Sequence, residues 1–546
     1  MSKKFIFLFV AILVLAAFLR LYRLNSIPPG VNQDEASIGY TAYSILHTGR
    51  DEYGRLFPLS FQSFGDWKLP VYIYSVVPFV SLLGLSELAV RLPSALVGII
   101  SVGLTFFLVR LLFKNNLLAF LTMFLIAIAP WHLHLSRVES ESNTAVLFII
   151  LGMICFLKSL KAKHWLIIPS AFFFALTYFT YAGNHVFTTL LVLGLLFIYR
   201  SEIKITKISI IAAVIFLGMS SFIFSQTLFG ADATKISGIG IFGDPSVVHA
   251  QIELPRLEHN NPNSFFARLT HNRVVFGLER FGQNYMNAFS GQFLFVSGGT
   301  NKAHNIANFG NMYLVEAPFL FLGLIYLIVL KKGKEKYLVV LWFFIAPIAA
   351  SITKDAPHTN RMFAIFPILP LVVAFGLSWA VTEIIDKPWR KLAVVIIAIF
   401  FLLNVAIYID RYYAHFPRDE AQNWGLGYKE LNLLLSKPEF SSQKVIMARP
   451  QYEPYVYLLF YSIYNPSLYQ KQAVRYPPTE DKFVHVKSFG RYEFRPIDWG
   501  KDLGLPNTFL VDWSTNIPSS LTSGYKQKFE VSLPNSQQMF TVIETQ

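Results

Sequence analysis

Eleven long apolar runs limit this chain to one class of fold, because a bilayer core of about 30 Å takes roughly 20 mostly apolar residues per helix. The runs lie near residues 5-22, 88-112, 117-133, 143-158, 164-181, 185-199, 207-226, 313-330, 337-353, 362-382 and 391-409. A further stretch, 70-85, is shorter, contains Pro70 and Pro78, and reads as a re-entrant or interfacial segment. Composition agrees: 54% of residues are hydrophobic, 16% aromatic and only 15% charged, against about 25% charged in an average soluble domain. Disorder, a coiled coil and an ordinary cytosolic enzyme are excluded. The expected fold is an α-helical polytopic membrane protein of about 11 transmembrane helices. Its lone cysteine, Cys155, lies inside one run and has no intramolecular disulfide partner.

Charge sets the orientation, since cytoplasmic loops retain Lys and Arg. With Lys3 and Lys4 inside, the inner loops carry Arg110 and Lys114, Lys158 to Lys163, Arg200 to Lys207, Lys331 to Lys336 and Lys387 to Lys391. The N-terminus is therefore expected in the cytoplasm and the protein in the plasma membrane. Arg20, Leu21, Tyr22 and Arg23 follow the first run where a cleavable signal peptide would need small residues. Two long loops, 23-87 and 227-312, fall outside, as does everything after 410. The net charge of +14 is scattered between apolar runs, so it marks topology and gives no nucleic-acid surface. Residues 1-409 read as a transmembrane domain and 410-546 as a small extracytoplasmic α/β domain. Strand-like stretches are expected at 445-448, 483-486, 508-511, 529-533 and 540-543, with a helix at 455-464. No phosphate-binding glycine loop, zinc-type spacing or nucleophile elbow is present.

Ionisable groups at a membrane edge are expensive and therefore informative, and four clusters collect on the outer side. Asn32-Gln33-Asp34-Glu35 holds adjacent carboxylates that can divide labour, one as general base and the other holding a partner or a metal. A solvated turn has the same residue types. Arg50-Asp51-Glu52-Tyr53-Gly54-Arg55, in the same loop, reads as a self-neutralising turn. Lys68 precedes the interfacial stretch and suits either lipid headgroups or a phosphate. Trp131 to Glu141 carries His132, His134, Arg137 and Glu139, which read better as a cavity lining than as metal ligands. Lys354 to Phe363 carries His358 and Arg361, and the arginine is a rigid fork of donors suited to phosphate oxygens or an interfacial anchor. Carboxylates and phosphate-capable cations on one face suit an anionic lipid head and a hydroxyl nucleophile.

These motifs resemble a family. The pair Asp34-Glu35, the run Asp66-Trp67-Lys68-Leu69-Pro70-Val71-Tyr72 and the run Gly84-Leu85-Ser86-Glu87-Leu88-Ala89-Val90-Arg91-Leu92-Pro93 look like the C-type (GT-C) glycosyltransferases. Within them the chain is most similar to the protein O-mannosyltransferase and aminoarabinose transferase (ArnT-like) group. Asn360-Arg361-Met362-Phe363, with Pro367 and Pro370, resembles that group's late arginine motif. Leu69 stands where the group often has proline. The resemblance implies an integral-membrane enzyme that moves a sugar from a polyprenyl-phosphate donor to a hydroxyl of a protein, lipid or glycan acceptor on the outer face, usually with inversion. It implies Asp34 as general base, Glu35 supporting the acceptor or a metal, and Lys68, Arg137 and Arg361 as donor-phosphate ligands. Glu139, Tyr181 and His358 follow as cavity-lining candidates. No cofactor is fixed, and a divalent cation beside the carboxylates stays open. A flippase of lipid-linked sugars is the non-catalytic alternative, disfavoured because the ionisable groups crowd the outer face rather than the midplane. A glycan polymerase or ligase would use the same carriers.

Overall fold

The computed structural model describes residues 3–161, 163–229, 238–479, 483–519, 521 and 525–546, so residues 230–237 of the second long loop lie outside the described residues. Every expected apolar run is helical, but spanning length is reached less often than expected. Among the described residues five helices are long and apolar enough to cross a bilayer. They are α1 (Lys3–Leu21), α4 (Glu87–Phe113), α7 (Glu141–Ser159), Lys207–Gln226 and Lys387–Asp419. A sixth arises if α5 (Asn116–Ile128) and α6 (Pro130–Arg137), bent by 56°, count as one broken span. The runs at 164-181, 185-199, 313-330 and 362-382 become shorter helices, His164–Tyr178, Gly183–Ile198, Leu314–Leu330 and Ile368–Ile384. The run 337-353 breaks around Pro347 into Glu335–Ile345 and Ile348–Ser351.

Proline explains the break at α5–α6. Pro130 has no N–H to give the Ile126 carbonyl, and a bilayer supplies no substitute donor. Arg20 does: its guanidinium donates to the carbonyls of Ile126 (3.2 Å) and Ala127 (3.0 Å) and lies 2.8 Å from His132 Nδ1. Farther along, the helices Ala317–Ile325 and Ile368–Trp379 meet backbone to backbone. A Cβ on Gly323 would stand 1.9 Å from the Val372 carbonyl oxygen, and one on Gly376 1.9 Å from that of Phe319. Small residues permit the close approach that drives helix association in lipid.

The chain divides into two compact units. The first comprises 1–20, 94–136 and 140–408 and holds most of the apolar helices. The second joins the first long loop, 21–93, to residues 137–139 and 409–546. From the loop come α2 (Gln33–Thr48), the hairpin β1 (Phe61–Ser63) and β2 (Asp66–Lys68), and α3 (Pro70–Leu83). From the terminal segment comes a sheet of β3 (Lys444–Met447), β4 (Val474–Arg475), β5 (Val486–Phe489), β6 (Tyr492–Phe494), β7 (Thr508–Trp513), β8 (Gln527–Ser532) and β9 (Gln538–Glu544). The order is β4-β5-β6-β3-β7-β9-β8. Strand β3 runs parallel to both β6 and β7, with Val445 opposite Tyr492 and Phe509, and the other neighbours are antiparallel.

Side chains alternate across a strand, and this sheet uses both faces. Val445, Met447, Phe509 and Val511 bury against Ala36, Ile38 and Tyr40 of α2, Tyr72, Ile73 and Val76 of α3, and the helix Pro454–Tyr461. Ile446, Leu510 and Ile543 face the other way, toward Trp499 and Leu503. The stretch 70-85 thus packs one face of a 14-residue helix into a protein core.

That core also buries charge. Glu52 accepts a hydrogen bond from the Tyr455 hydroxyl (3.1 Å), and burial pushes its carboxyl up to about 7 despite the nearby Arg475 guanidinium. Burial, with Glu52 adding to it, pushes Glu453 up to about 9. A carboxyl that holds its proton more tightly folded than unfolded stabilises the fold below its unfolded pKa and loses that contribution as pH rises through the folded one. The melting temperature of this unit is therefore expected to fall as pH rises from about 4.5 to 9, with the Glu52 contribution lost up to about pH 7. Melting curves of Glu52→Gln, followed by intrinsic fluorescence, should show a shallower slope across that window.

Candidate active site

Asp34 and Glu35 occupy the first turn of α2, where carboxylates meet the positive end of the helix dipole. Asn32 caps the helix: its side chain accepts from the Glu35 N–H (2.8 Å), while Glu35 Oε2 accepts from the Asn32 N–H at 3.4 Å. This is a reciprocal capping box. Successive helical residues point about 100° apart, so the two carboxylates meet different surroundings.

Glu35 faces inward and is fully buried. It accepts a forked pair from Arg91, Nε to Oε1 at 2.8 Å and Nη2 to Oε2 at 2.7 Å. The Glu139 backbone N–H adds a third bond at 3.1 Å. Arg91, at the start of α4, also donates to the carbonyls of Leu24, Pro28 and Gly30 and lies 5.6 Å from the Trp424 ring. Residues 24–30 are therefore wrapped around one guanidinium. Arg137 works similarly: buried, it donates to Tyr412 Oη (3.2 Å) and to the carbonyls of Tyr22 (2.8 Å) and Ile27 (3.1 Å).

Asp34 faces outward, its side chain 50% exposed, and Oδ1 lies 2.7 Å from the ammonium of Lys68, which is 5% exposed. The hairpin places that lysine: Lys68 pairs with Phe61 across β1–β2, and its ammonium sits over the Phe64 ring at 4.6 Å. Leu69 then adopts φ −80° and ψ 153° before Pro70 opens α3. That φ lies within the range a proline ring would impose, so the turn survives the leucine. Asp51 behaves as a self-neutralised turn, accepting from the backbone N–H groups of Tyr53 and Arg55 and pairing with the Arg55 side chain.

In the helical unit a second group forms on residues 353–361. Arg361 donates to Thr353 Oγ1 (2.8 Å) and pairs with Asp355. His358 is buried, 3.7 Å from the Asp355 carboxylate, with its ring 5.2 Å from that of His304. Burial, then His304 and the Arg361 charge, hold the His358 imidazole well below its usual range. Tyr181 borders the group: a Cβ on Gly183 would lie 2.7 Å from its ring and 3.7 Å from the Arg361 carbonyl oxygen. Among the described residues no three His, Cys, Asp or Glu side chains converge as metal ligands would.

Sequence reasoning missed Arg91 and His304. A charge next to a long apolar run was the available signal for Arg91; His304 lies in a loop without a readable motif.

The profile of the dolichyl-phosphate-mannose-protein mannosyltransferase family matches residues 10–231. No curated protein matches the chain by sequence. ArnT from Cupriavidus metallidurans, solved bound to undecaprenyl phosphate, superposes with a TM-score of 0.53 at 13% identity, covering 99% of this chain and 98% of that one. The archaeal oligosaccharyltransferase AglB from Archaeoglobus fulgidus, solved with an inhibitory peptide and a dolichol-phosphate, superposes with a TM-score of 0.51 at 13% identity. There 84% of this chain is covered, and it spans 64% of AglB. In fold the chain is similar to ArnT and AglB, and it matches the ArnT structure over nearly its whole length.

The two carboxylates predict different losses. Removing one partner of a buried ion pair costs about 3–5 kcal/mol, so Arg91→Met and Glu35→Gln should each lower the melting temperature sharply. Asp34→Asn, at a half-exposed position, should leave it within a few degrees. Differential scanning fluorimetry of the three purified variants separates these outcomes.

Proposed function

We propose that this protein transfers a sugar from a polyprenyl-phosphate carrier to an acceptor hydroxyl on the outer face of the cell membrane, with inversion at the anomeric carbon. The observation that carries the reading is the division of labour in α2: Glu35 is consumed by Arg91, whereas Asp34 is held by Lys68 with half its surface open to solvent. A general base must reach the proton it removes, and of the two only Asp34 is exposed. The family match over 10–231 and the lipid phosphates named for ArnT and AglB support the donor class. The basic inner loops support the outward orientation.

In the proposed reaction Asp34 takes the acceptor hydroxyl proton. The acceptor oxygen forms a bond to the anomeric carbon as the bond from that carbon to the phosphate oxygen breaks, through an oxocarbenium-like state. The electron pair leaves with the polyprenyl phosphate, whose charge a rigid guanidinium fork stabilises. Arg361 is assigned that fork, with His358 and Tyr181 beside it. Lys68 orients the Asp34 carboxylate. Glu35, Arg137 and the Glu139 backbone act as positioning groups, a reassignment from the roles the family resemblance implies. Residues 1-409 and 410-546 are retained as the proposed domains, the second on the outer side.

Two measurements test this reading. In a reconstituted assay with polyprenyl-phosphate sugar, Asp34→Asn should lose at least a hundredfold in turnover, the usual scale of general-base catalysis, while keeping donor affinity. Undiminished turnover overturns the assignment. Arg361→Ala should weaken donor binding roughly tenfold or more, whereas Lys68→Met should lower turnover at unchanged donor affinity. If Lys68→Met weakens donor binding and Arg361→Ala does not, the phosphate ligand is Lys68.

A further inference from the structure

Strands β3 and β7 run side by side and parallel, with Met447 opposite Val511. Two residues beyond those partners, where the parallel strands end, stand Arg449 and Trp513. The chain leaves this edge in opposite directions. After β3 it enters the helix Pro454–Tyr461, which packs on the Val445 and Met447 face. After β6 it enters the turn of helix Trp499–Asp502, whose Trp499 packs on the Ile446 and Leu510 face. A switch of this kind opens a crevice at the carboxyl ends of parallel strands, the place where open α/β sheets hold ligands.

The crevice edge is chemically specific. The ring centroids of Tyr452 and Trp513 are 4.9 Å apart at an angle of 38°. The Arg449 guanidinium carbon lies 5.9 Å from the Tyr452 ring and 5.5 Å from that of Trp513. Its Nε is 3.4 Å from Asp512 Oδ1, which also accepts from the Trp513 N–H (2.7 Å) and from Asn516 Nδ2 (3.3 Å). Tyr452 nevertheless stays 45% exposed, so an aromatic face with a part-exposed guanidinium beside it is presented to solvent, backed by the largely buried Asp512 carboxylate.

The backbone is strained to present it. Arg449 (φ 61°, ψ 61°) and Glu453 (φ 52°, ψ 46°) both adopt the left-handed conformation, one at each end of the turn Pro450–Tyr452. Neither is glycine or asparagine, the residues that take this conformation most cheaply. Strain at two bracketing positions is characteristic of segments held for binding.

We infer that the Arg449–Tyr452–Trp513–Asp512 group at the carboxyl ends of β3 and β7 is a binding site for a neutral saccharide. A pyranose ring offers an apolar C–H face for the tilted aromatic pair and vicinal hydroxyls for a fork of N–H donors beside a carboxylate acceptor. The neighbouring carboxylate balances the arginine, which removes the excess positive charge that a phosphate or an anionic lipid would select. It also puts a charged group where a purely apolar ligand would pay desolvation. This group shares no residue with the Asp34–Lys68 pair, and the inference stands whether or not the chain transfers sugar.

The test uses the full chain in lipid nanodiscs, because maltoside detergents themselves carry a sugar. Saturation-transfer NMR with mannobiose, lactose and chitobiose should show at least one of the three binding the wild-type protein in the millimolar range. Tyr452→Ala and Trp513→Phe should each weaken that binding roughly tenfold, about 1.4 kcal/mol, and Asp34→Asn should leave it unchanged. Tyr452 is exposed, so its variant should keep the wild-type melting temperature. The inference is overturned if none of the three sugars binds. It is equally overturned if binding survives both aromatic substitutions, or if Asp34→Asn abolishes binding while Tyr452→Ala does not. That last result would place the sugar at the proposed transfer site, whereas absence of transfer by the wild-type protein with intact saccharide binding would count only against the transfer reading.

Discussion

Burying Glu35 and Arg91 together takes two charges out of water, and such a pair is tolerated only when every remaining donor and lone pair finds a partner. Residues 24–35 are arranged around that requirement. The carbonyls of Leu24, Pro28 and Gly30 take the Arg91 donors that Glu35 does not, and the Glu139 and Asn32 N–H groups occupy the carboxylate. The path of the first loop, the cap of α2 and the start of α4 are thereby fixed at one point. Asp34 inherits its position from this arrangement without taking part in it. Its neighbour anchors the helix end, which leaves Asp34 as the residue of the pair turned toward solvent.

The same logic recurs wherever the chain sets a polar group in apolar surroundings. Pro130 frees a carbonyl and Arg20 satisfies it, so the bend between α5 and α6 is held by hydrogen bonds. Arg137 is enclosed by two carbonyls and a tyrosine hydroxyl. In each case an arginine with several donors replaces water for backbone carbonyls, which a single ammonium point charge would do less well. Arg20 and Arg137, each at the edge of an apolar run, therefore mark backbone junctions.

Much of this was legible in the residues. Each apolar run became helix, because hydrophobic length is a property of the sequence itself. Whether a run forms one unbroken helix was not legible where prolines at 130, 347 and 367 divide runs that composition treats as continuous. The strands near 445, 508, 529 and 540 were visible from β-branched and aromatic content. Strands β4 and β6, two and three residues long, have no period to detect, and the stretch expected at 483-486 lies three residues later as β5. The adjacency of Asp34 and Glu35 was evident, but their separation into buried and exposed depends on where Asn32 caps the helix. Arg137 and Arg361 look alike in sequence. One is enclosed by backbone and the other pairs with Asp355 on a loop, and only the folded chain distinguishes them.

One feature of the second unit bears on how the protein is made. Its core combines residues 21–93 with residues 409–546. At about 5–20 residues per second, the ribosome needs roughly 15–60 s to synthesise the intervening segment. Throughout that interval the apolar faces of α2 and α3 have been translated and their partners have not. Nascent chains halted before residue 409 should therefore be substrates for chaperones and proteases that the finished protein escapes, and maturation of this unit is paced by translation rather than by local folding.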